Sequence, residues 1–294
     1  MKHDIKITGL LILLFFVAQL IGLLVLSHYI DIEQSAQTQQ PVLRTDVYVV
    51  EPPQVNDRSY SFLFILSAVL IGTLLMFVLI RFKQVTLWKT WFFVSVVITL
   101  FIALYPLFLY IYISWWLPLV VSFVLAYYKS KQVWVHNITE LFIYAGIAAL
   151  FVPLLNMISA ILLLIGISLY DAYAVWKSKH MIQLATFQSQ SGVFAGLCIP
   201  KKGGMPKLGI NNNSSQKGKP THAILGGGDI AFSLLFAGTV FMITNSVLGA
   251  IVVVSCSTLA LAGLFLFSKP HTFYPAMPFI SAGCLLGYGI VLLM

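Results

Sequence analysis

The sequence predicts an all-α polytopic membrane protein with about nine transmembrane helices. Of its 294 residues, 60% are hydrophobic and only 9% are charged, whereas a soluble domain carries about 25% charged residues. The chain therefore has too few charged residues to cover a soluble surface. Its apolar residues are also grouped into long runs, and a helix that crosses a bilayer needs about 20 of them in succession.

Nine apolar segments are candidate spans. In chain order they cover residues 7–30, 60–80, 91–113, 115–128, 138–155, 157–176, 223–243, 246–267 and 274–294. The first follows Lys2 and Lys6 and is too long for the core of a signal peptide, so we predict an uncleaved span. The fifth and sixth form one apolar stretch around Pro153 and Asn156 that is long enough to cross a bilayer twice. We therefore count it as two spans.

The basic residues alternate between the two ends of these spans. Fifteen of the 17 Lys and Arg residues fall in the N-terminal tail and in the second, fourth, sixth and eighth loops, and the other two, Arg44 and Arg58, lie in the first loop. This positive-inside pattern places the N-terminus in the cytoplasm and the C-terminus outside. Because it also accounts for the net charge of +8, we expect the lipid bilayer and no nucleic acid as a partner.

The spans and loops divide the chain into three parts. Residues 1–176 form an N-terminal six-helix part, residues 177–222 a flexible basic cytoplasmic loop, and residues 223–294 a C-terminal three-helix part. The first loop, residues 31–59, is the main extracytoplasmic segment and carries five of the nine acidic residues. A short strand is predicted within it at residues 47–50.

Two aspartates lie inside predicted spans, Asp171 in the sixth and Asp229 in the seventh. A carboxylate in hydrocarbon costs about 2.5 kcal/mol or more on insertion scales, so each requires a reason. Asp171 lies six residues before Lys177, and Asp229 seven residues after His222. With a rise of about 1.5 Å per residue, antiparallel helices bring both carboxyl groups to one level, in the cytoplasmic third of the bilayer.

Two neighbouring carboxyl groups in a poor solvent share one proton, so the pair offers a base and an acid at once. The ionised group can activate a water molecule while the protonated group donates to a peptide carbonyl oxygen, as in aspartic proteases. A structural carboxyl pair and an ion- or proton-transport site are also compatible with two intramembrane aspartates. The two residues alone leave these alternatives open.

Two neighbouring segments favour the protease. Gly226, Gly227 and Gly228 precede Asp229, and three glycines in succession suggest close approach by another backbone. The ninth span opens with Pro275-Ala276-Met277-Pro278, whose prolines are expected to keep it extended and available for pairing with an unwound substrate. The alternative is that these prolines only begin a helix.

Three short motifs together resemble those of presenilins and signal peptide peptidases. Tyr170-Asp171 resembles their Tyr-Asp motif, Gly226-Gly227-Gly228-Asp229 their Gly-x-Gly-Asp motif, and Pro275-Ala276-Met277 their Pro-Ala-Leu motif. Methionine in place of leucine in the last motif conserves side-chain volume. The resemblance covers most of the chain, and the small size and short tails are most similar to a prokaryotic, archaeal-type homologue in a cell membrane.

The resemblance implies an intramembrane aspartyl endopeptidase that hydrolyses peptide bonds within transmembrane helices. It implies Asp171 and Asp229 as the catalytic dyad, with a substrate-binding role for Tyr170, for glycines 226–228 and for the segment from Pro275 to Met277. A cytoplasmic N-terminus matches presenilins and not the inverted signal peptide peptidases, so we predict single-span substrates whose N-terminus lies outside. The sixth loop lacks the long hydrophobic stretch that presenilins cleave during maturation, so the resemblance does not extend to autoprocessing.

The remaining polar residues give no second site. No His, Cys and Asp cluster has metal-ligand spacing, so we predict neither a metal nor an organic cofactor. Glu140 and the histidines are expected at membrane interfaces, and the three cysteines are expected to be free. The rival functions are a transporter or cation leak channel that uses the same carboxylates, and a prepilin-type peptidase, which the nine spans and the late proline-rich segment disfavour. A second copy of the chain, giving a homo-oligomer, stays open.

Overall fold

The computed structural model describes residues 5–38, 42–44, 47, 58–82, 84–111, 114–178, 194–200, 222–268 and 274–294. These residues contain ten α-helices and one two-stranded sheet. The helices are α1 (Ile5–Tyr29), α2 (Ile32–Thr38), α3 (Ser61–Arg81), α4 (Val85–Tyr110), α5 (Trp116–Lys129), α6 (Val133–Phe151), α7 (Met157–Tyr173), α8 (Gly227–Thr244), α9 (Val247–Phe267) and α10 (Met277–Val291). The strands are β1 (Gly196–Pro200) and β2 (His222–Gly226).

Each of the nine predicted spans overlaps one of these helices, and α2 is additional. Helix α4 begins six residues before its predicted span and α6 five residues before its own. Within the described ranges, seven helices are long and apolar enough to cross a membrane. The other two, α5 and α10, have 14 and 15 residues and therefore rise only about 21 and 22 Å, less than the hydrocarbon thickness of about 30 Å. The chain is a multi-pass membrane protein, whereas nine crossings and the orientation of the termini stay predictions.

The apolar stretch around Pro153 is broken in two, as its length suggested. Helix α6 ends at Phe151, a 3₁₀ turn follows, and α7 begins at Met157. The Asn156 side chain accepts a hydrogen bond from the Ser159 backbone N–H, while the Ser159 hydroxyl accepts one from the Asn156 N–H. This reciprocal cap satisfies donors that a helix start leaves without partners.

The seventh predicted span differs from the structure at its start. Residues His222–Gly226, predicted to lie within or just before a helix, form strand β2, and α8 begins only at Gly227. Strand β1 pairs with β2 in antiparallel register, with Cys198 opposite Ile224. Most of the predicted 177–222 loop, and all of the predicted strand at 47–50 except Val47, lie outside the described residues; Val47 itself is in a turn.

Helix α8 lies at the centre of the bundle. Nearly every residue from Ser233 to Met242 is buried, and the helix contacts α1, α6, α7, α9 and α10. Helices α3, α4 and α5 lie further out and carry many exposed apolar side chains, which suits a lipid-facing surface. The centre therefore holds α8 and the C-terminal end of α7, which carry the two intramembrane aspartates.

Candidate active site

Asp171 lies two residues before the end of α7, with 9% of its surface exposed. Its carboxylate oxygen Oδ2 accepts a hydrogen bond from the backbone N–H of Met277, at 3.1 Å. Met277 is the first residue of α10, where backbone N–H groups have no acceptor inside the helix. The carboxylate thus occupies the electropositive end of another helix, a position that favours negative charge.

Asp229 lies in the first turn of α8, three residues after the N-cap Gly226, and is partly exposed. Its side chain folds back over that turn, because a methyl group placed at Gly226 would lie 3.2 Å from Asp229 Oδ2. A carboxylate at this helical position faces free backbone N–H groups and the positive end of the helix dipole.

The two aspartates belong to helices that pack against each other. Asp171 lies in the last turn of α7 and Asp229 in the first turn of α8. Each carboxyl group also lies at the N-terminus of a helix, Asp229 at that of α8 and Asp171 at that of α10. The structure therefore brings together the two residues that the sequence singled out, at a place where backbone dipoles offset part of the cost of burying charge.

The described neighbours of the glycines before Asp229 are side chains, so the expected approach of another backbone stays a prediction. A methyl group at Gly227 would lie 2.9 Å from the Tyr144 hydroxyl oxygen, so that glycine makes room for a side chain of α6. A methyl at Gly228 would meet only the Phe232 ring, at 3.8 Å, and Gly228 is exposed. The open space is thus at Gly228, directly beside Asp229.

Less of the Pro-Ala-Met segment is extended than the sequence predicted. Tyr274 and Pro275 have no regular secondary structure, Ala276 is in the right-handed helical region, and α10 begins at Met277. Pro278 lies in the first turn, where a missing N–H has no cost. The segment contacts Asp171 as a helix start, through the Met277 N–H.

Tyr170 faces away from this contact. Its hydroxyl lies 3.5 Å from Thr73 Oγ1 on α3, and residues one position apart on a helix point in different directions. Tyr170 therefore links α7 to α3 at the position directly before Asp171.

Strand β2 leads directly into the aspartate, because it ends at Gly226, the N-cap of α8. Its partner β1 is bound on the opposite edge by Asn137 of α6. The Asn137 side chain donates to the Cys198 carbonyl at 2.8 Å and accepts from the Cys198 N–H at 3.0 Å. Both backbone groups of an antiparallel strand residue point to one side, so those of Cys198 point away from β2. Those of Ile224, opposite it, point to the other edge of β2, which pairs with none of the described strands and which we call the free edge of β2.

Two more contacts fix the chain at and before β1. His136 of α6 approaches the Gly196 carbonyl through Nε2, at 2.8 Å, so this nitrogen carries the proton. Lys129 of α5 donates to His136 Nδ1 at 3.1 Å and to the Phe194 carbonyl at 3.2 Å, and its third donor reaches Glu140. All three ammonium protons therefore have acceptors.

Glu140 was expected at a membrane interface, and that expectation is wrong. Its exposed fraction is 1%, and its carboxylate forms an ion pair with Lys129, whose exposed fraction is 4%. Lys129, which the charge count placed in a loop, is the last residue of α5 and is buried as well. His136, also expected at an interface, is 1% exposed. The charges compensate each other within the protein.

Sequence reasoning did not identify this polar group, although two signals were present. His136, Asn137 and Glu140 recur at the spacing of one helix face inside an otherwise apolar helix. The run from Phe194 to Ile199 is apolar and ends at Pro200, as a short strand does. What the sequence does not contain is the information that these two features meet.

A metal site is not formed by the residues that can be described. No group of three or more of their His, Cys, Asp or Glu side chains is placed to hold an ion. The cysteines in these ranges are free thiols. The expectation that the reaction needs no metal or organic cofactor stays a prediction.

Comparison with known families and structures agrees with the motifs. The family model described as "Signal-peptide peptidase, presenilin aspartyl protease" matches residues 12–294. No protein with curated sequence annotation matches the chain significantly.

Two crystal structures have a similar fold, each described as a presenilin family intramembrane aspartate protease. The one in space group C222 has a TM-score of 0.63 and 16% sequence identity, covering 98% of this chain and 99% of that one. The one in space group P2 has a TM-score of 0.64 and 18% identity, covering 97% of both chains. At these identities the likeness concerns the fold alone.

Proposed function

The chain belongs to the signal-peptide peptidase and presenilin family of aspartyl proteases, and we propose that Asp171 and Asp229 are the catalytic dyad of this intramembrane peptide hydrolase. One observation carries the proposal. The two carboxyl groups lie on helices that pack against each other, and each one is next to the N-terminus of a helix. No contact among the described residues favours the transporter or channel interpretation over the hydrolase.

The proposed mechanism uses the pair as base and acid. With one proton shared between the two carboxyl groups, the ionised group removes a proton from water as the water oxygen attacks the scissile carbonyl carbon. The protonated group donates to the carbonyl oxygen, which gives a tetrahedral gem-diol. Return of a proton to the peptide nitrogen then breaks the C–N bond and releases an acid and an amine.

The Met277 N–H would assist by holding Asp171. A hydrogen bond to one oxygen of a carboxylate leaves the other oxygen to exchange protons with water or substrate. Because the bond comes from a backbone group at the start of α10, packed against α7 and α9, its direction is fixed before substrate binds. Such preorganisation lowers the reorganisation needed during reaction.

Substrate binding is proposed to take place at the free edge of β2. A transmembrane substrate must unwind before hydrolysis, and its freed peptide groups then need hydrogen-bond partners. Strand addition supplies such partners. The β1 edge is already occupied by Asn137 and His136, whereas the backbone of Ile224 points outward, and its side chain is 53% exposed. A strand added there runs towards Gly228 and Asp229.

Replacing Ile224 with proline tests this edge. Proline removes the outward N–H, and an edge strand tolerates it because that N–H takes no part in the β1–β2 ladder. We expect Ile224→Pro to lower kcat/KM for a labelled transmembrane peptide by about tenfold. Loss of one hydrogen bond costs about 1.4 kcal/mol, which corresponds to a factor of about ten. The matched control Ile224→Val should retain activity. Equal activity of the two variants would place the substrate elsewhere.

The substrate class follows from orientation. If the N-terminus is cytoplasmic, the dyad lies towards the cytoplasmic side, and we expect preferred cleavage of single-span substrates whose N-terminus lies outside. Reporter spans of identical sequence, inserted in both orientations in cells that express the protein, measure this preference. Equal cleavage, or preference for the inverted reporter, would contradict it.

The direct test of the function uses purified protein in detergent. We expect cleavage of a labelled transmembrane peptide, suppressed by a hydroxyl-containing transition-state analogue, since such analogues bind far more tightly than substrates. If a peptide that a related protease cleaves yields no product, and the protein instead conducts ions in liposomes, the transporter interpretation would replace this one.

A further inference from the structure

Polar side chains of α5 and α6 bind the backbone of β1 and of the residues just before it. We define the β1 clamp as Lys129, His136 and Asn137, which contact the backbone at Phe194, Gly196 and Cys198. All three clamp side chains are at least 93% buried. Burying a polar side chain is costly unless it is hydrogen-bonded. Here His136 and Asn137 bond to the backbone of β1, and Lys129 bonds to the backbone of Phe194, two residues before the strand.

We propose that the β1 clamp consists of positioning residues for the protease reaction, which keep the β1–β2 sheet where an unwound substrate can add to β2. The proposal rests on the function proposed above. It assigns no proton transfer to the clamp, and it makes Glu140 the counter-ion that keeps the Lys129 charge in place.

Chain connectivity alone does not fix the position of β1. Residues 174–195 separate it from α7, and residues 201–221 separate it from β2. Over connections of this length, the covalent chain by itself restricts the position of a strand only weakly. The clamp supplies such binding from α5 and α6, helices that belong to the packed bundle through their contacts with α4 and α1.

The clamp acts on the substrate edge through β2. Leu197 and Ile199 pair with Leu225 and Ala223, so displacement of β1 would displace β2. Helix α8 is held separately by its buried contacts with five other helices. Loss of the clamp should therefore disturb the strand that receives substrate more than it disturbs the dyad.

Cys198 provides a direct readout of clamp release. It lies in β1 with 7% of its surface exposed, and burial raises the pKa of its thiol, which slows reaction with thiol reagents. In a background with Cys256→Ala and Cys284→Ala, it is the one cysteine left in the chain. We expect Asn137→Leu to increase its alkylation rate at least about tenfold, because loss of both Asn137 hydrogen bonds exposes the strand.

The matched control is Thr139→Val. Thr139 lies on the same helix and is fully buried, but its hydroxyl bonds only to the His136 carbonyl within α6. We expect the control to label at the rate of the parent protein. A second pair of variants serves in case Asn137→Leu misfolds. His136→Phe should increase the alkylation rate of Cys198. His136→Gln, whose amide can still donate to the Gly196 carbonyl, should keep this rate close to that of the parent protein.

Kinetics separate positioning from general destabilisation. For a labelled transmembrane peptide, we expect Asn137→Leu to raise KM about tenfold while kcat changes less than threefold. Affinity for a small transition-state analogue that contacts only the aspartates should stay within threefold of the parent value. A variant that is merely damaged would lose kcat and analogue binding together.

The outcomes distinguish this proposal from the one on which it rests. If the parent protein cleaves no peptide, the proposed function fails, and the alkylation of Cys198 still decides whether the clamp holds β1. If the parent cleaves peptide, and Asn137→Leu matches Thr139→Val in both KM and labelling rate, the clamp proposal is overturned while the protease remains.

Discussion

Replacement of either aspartate by asparagine is expected to lower kcat for peptide cleavage by at least about a hundredfold, since proton transfer by a positioned acid or base contributes about 10² to 10⁴ in rate. Asp171→Asn and Asp229→Asn should each have this effect, because the proposed reaction needs both carboxyl groups. Initial rates on a labelled transmembrane peptide in detergent, with purified variants, measure it.

Asparagine is a suitable replacement because it preserves the local structure. At position 171 the amide oxygen can still accept the hydrogen bond from the Met277 N–H, so α7 and α10 should stay joined. Thermal unfolding of both variants should therefore remain close to that of the parent. Loss of cleavage with retained stability identifies a chemical role, whereas loss of both would indicate a structural one.

The control is a carboxylate outside the bundle. Glu33 of α2 is exposed, so Glu33→Gln removes the same charge without touching the candidate site and should retain parental activity. Residual cleavage above about a hundredth of the parental rate in either aspartate variant would contradict the two-aspartate mechanism, because general acid–base catalysis contributes at least about a hundredfold. Equal cleavage by the parent and both variants would point to a contaminating protease.

Hydrophobic runs predicted most of the helices because one physical requirement dominates their sequence. A helix in hydrocarbon must be apolar over about 20 residues, so α1, α3, α4 and α9 are readable without tertiary information. The start of α8 is not readable in this way. Residues 223–226 are as apolar as a membrane-spanning helix. They form a strand because β1 pairs with them.

The dyad was predictable, and its surroundings were only partly so. A carboxylate in an apolar span is conspicuous by its cost, which directed attention to Asp171 and Asp229. The three glycines were expected to admit a backbone, but what Gly227 admits is the Tyr144 side chain. Steric reasoning from sequence indicates that space is needed at a glycine and does not indicate which neighbour takes it.

Glu140 illustrates a different limit. A charged residue near the end of a span has the same local sequence whether it extends to the headgroups or pairs inside the protein. Lys129 precedes it by 11 residues, across the turn between α5 and α6. The count of basic residues placed Lys129 in a loop, and its position at the edge of a span placed Glu140 at the membrane interface. Burial of the pair depends on packing of the two helices and on the chain at Phe194 that lies over them.

The buried pair should therefore be important for stability. Lys129→Met leaves the Glu140 carboxylate buried without its cation, and removal of one partner of a buried ion pair costs about 3–5 kcal/mol. We expect a fall in Tm of about 10 °C, at roughly 2–4 °C per kcal/mol for a chain of this size, in detergent-purified protein. Glu140→Gln, which leaves Lys129 buried without its anion, should lower Tm by a similar amount.

The double variant Lys129→Met/Glu140→Met separates charge from packing. Apolar residues of similar volume often replace a buried ion pair at little cost, so the double variant should recover most of the lost Tm. Lys131→Met is the matched control, because Lys131 is exposed and stacks on the Tyr127 ring at 3.7 Å; it should change Tm little. A double variant as unstable as Lys129→Met alone would show that the hydrogen bonds of Lys129 to His136 and Phe194, and not charge compensation, stabilise this end of the bundle.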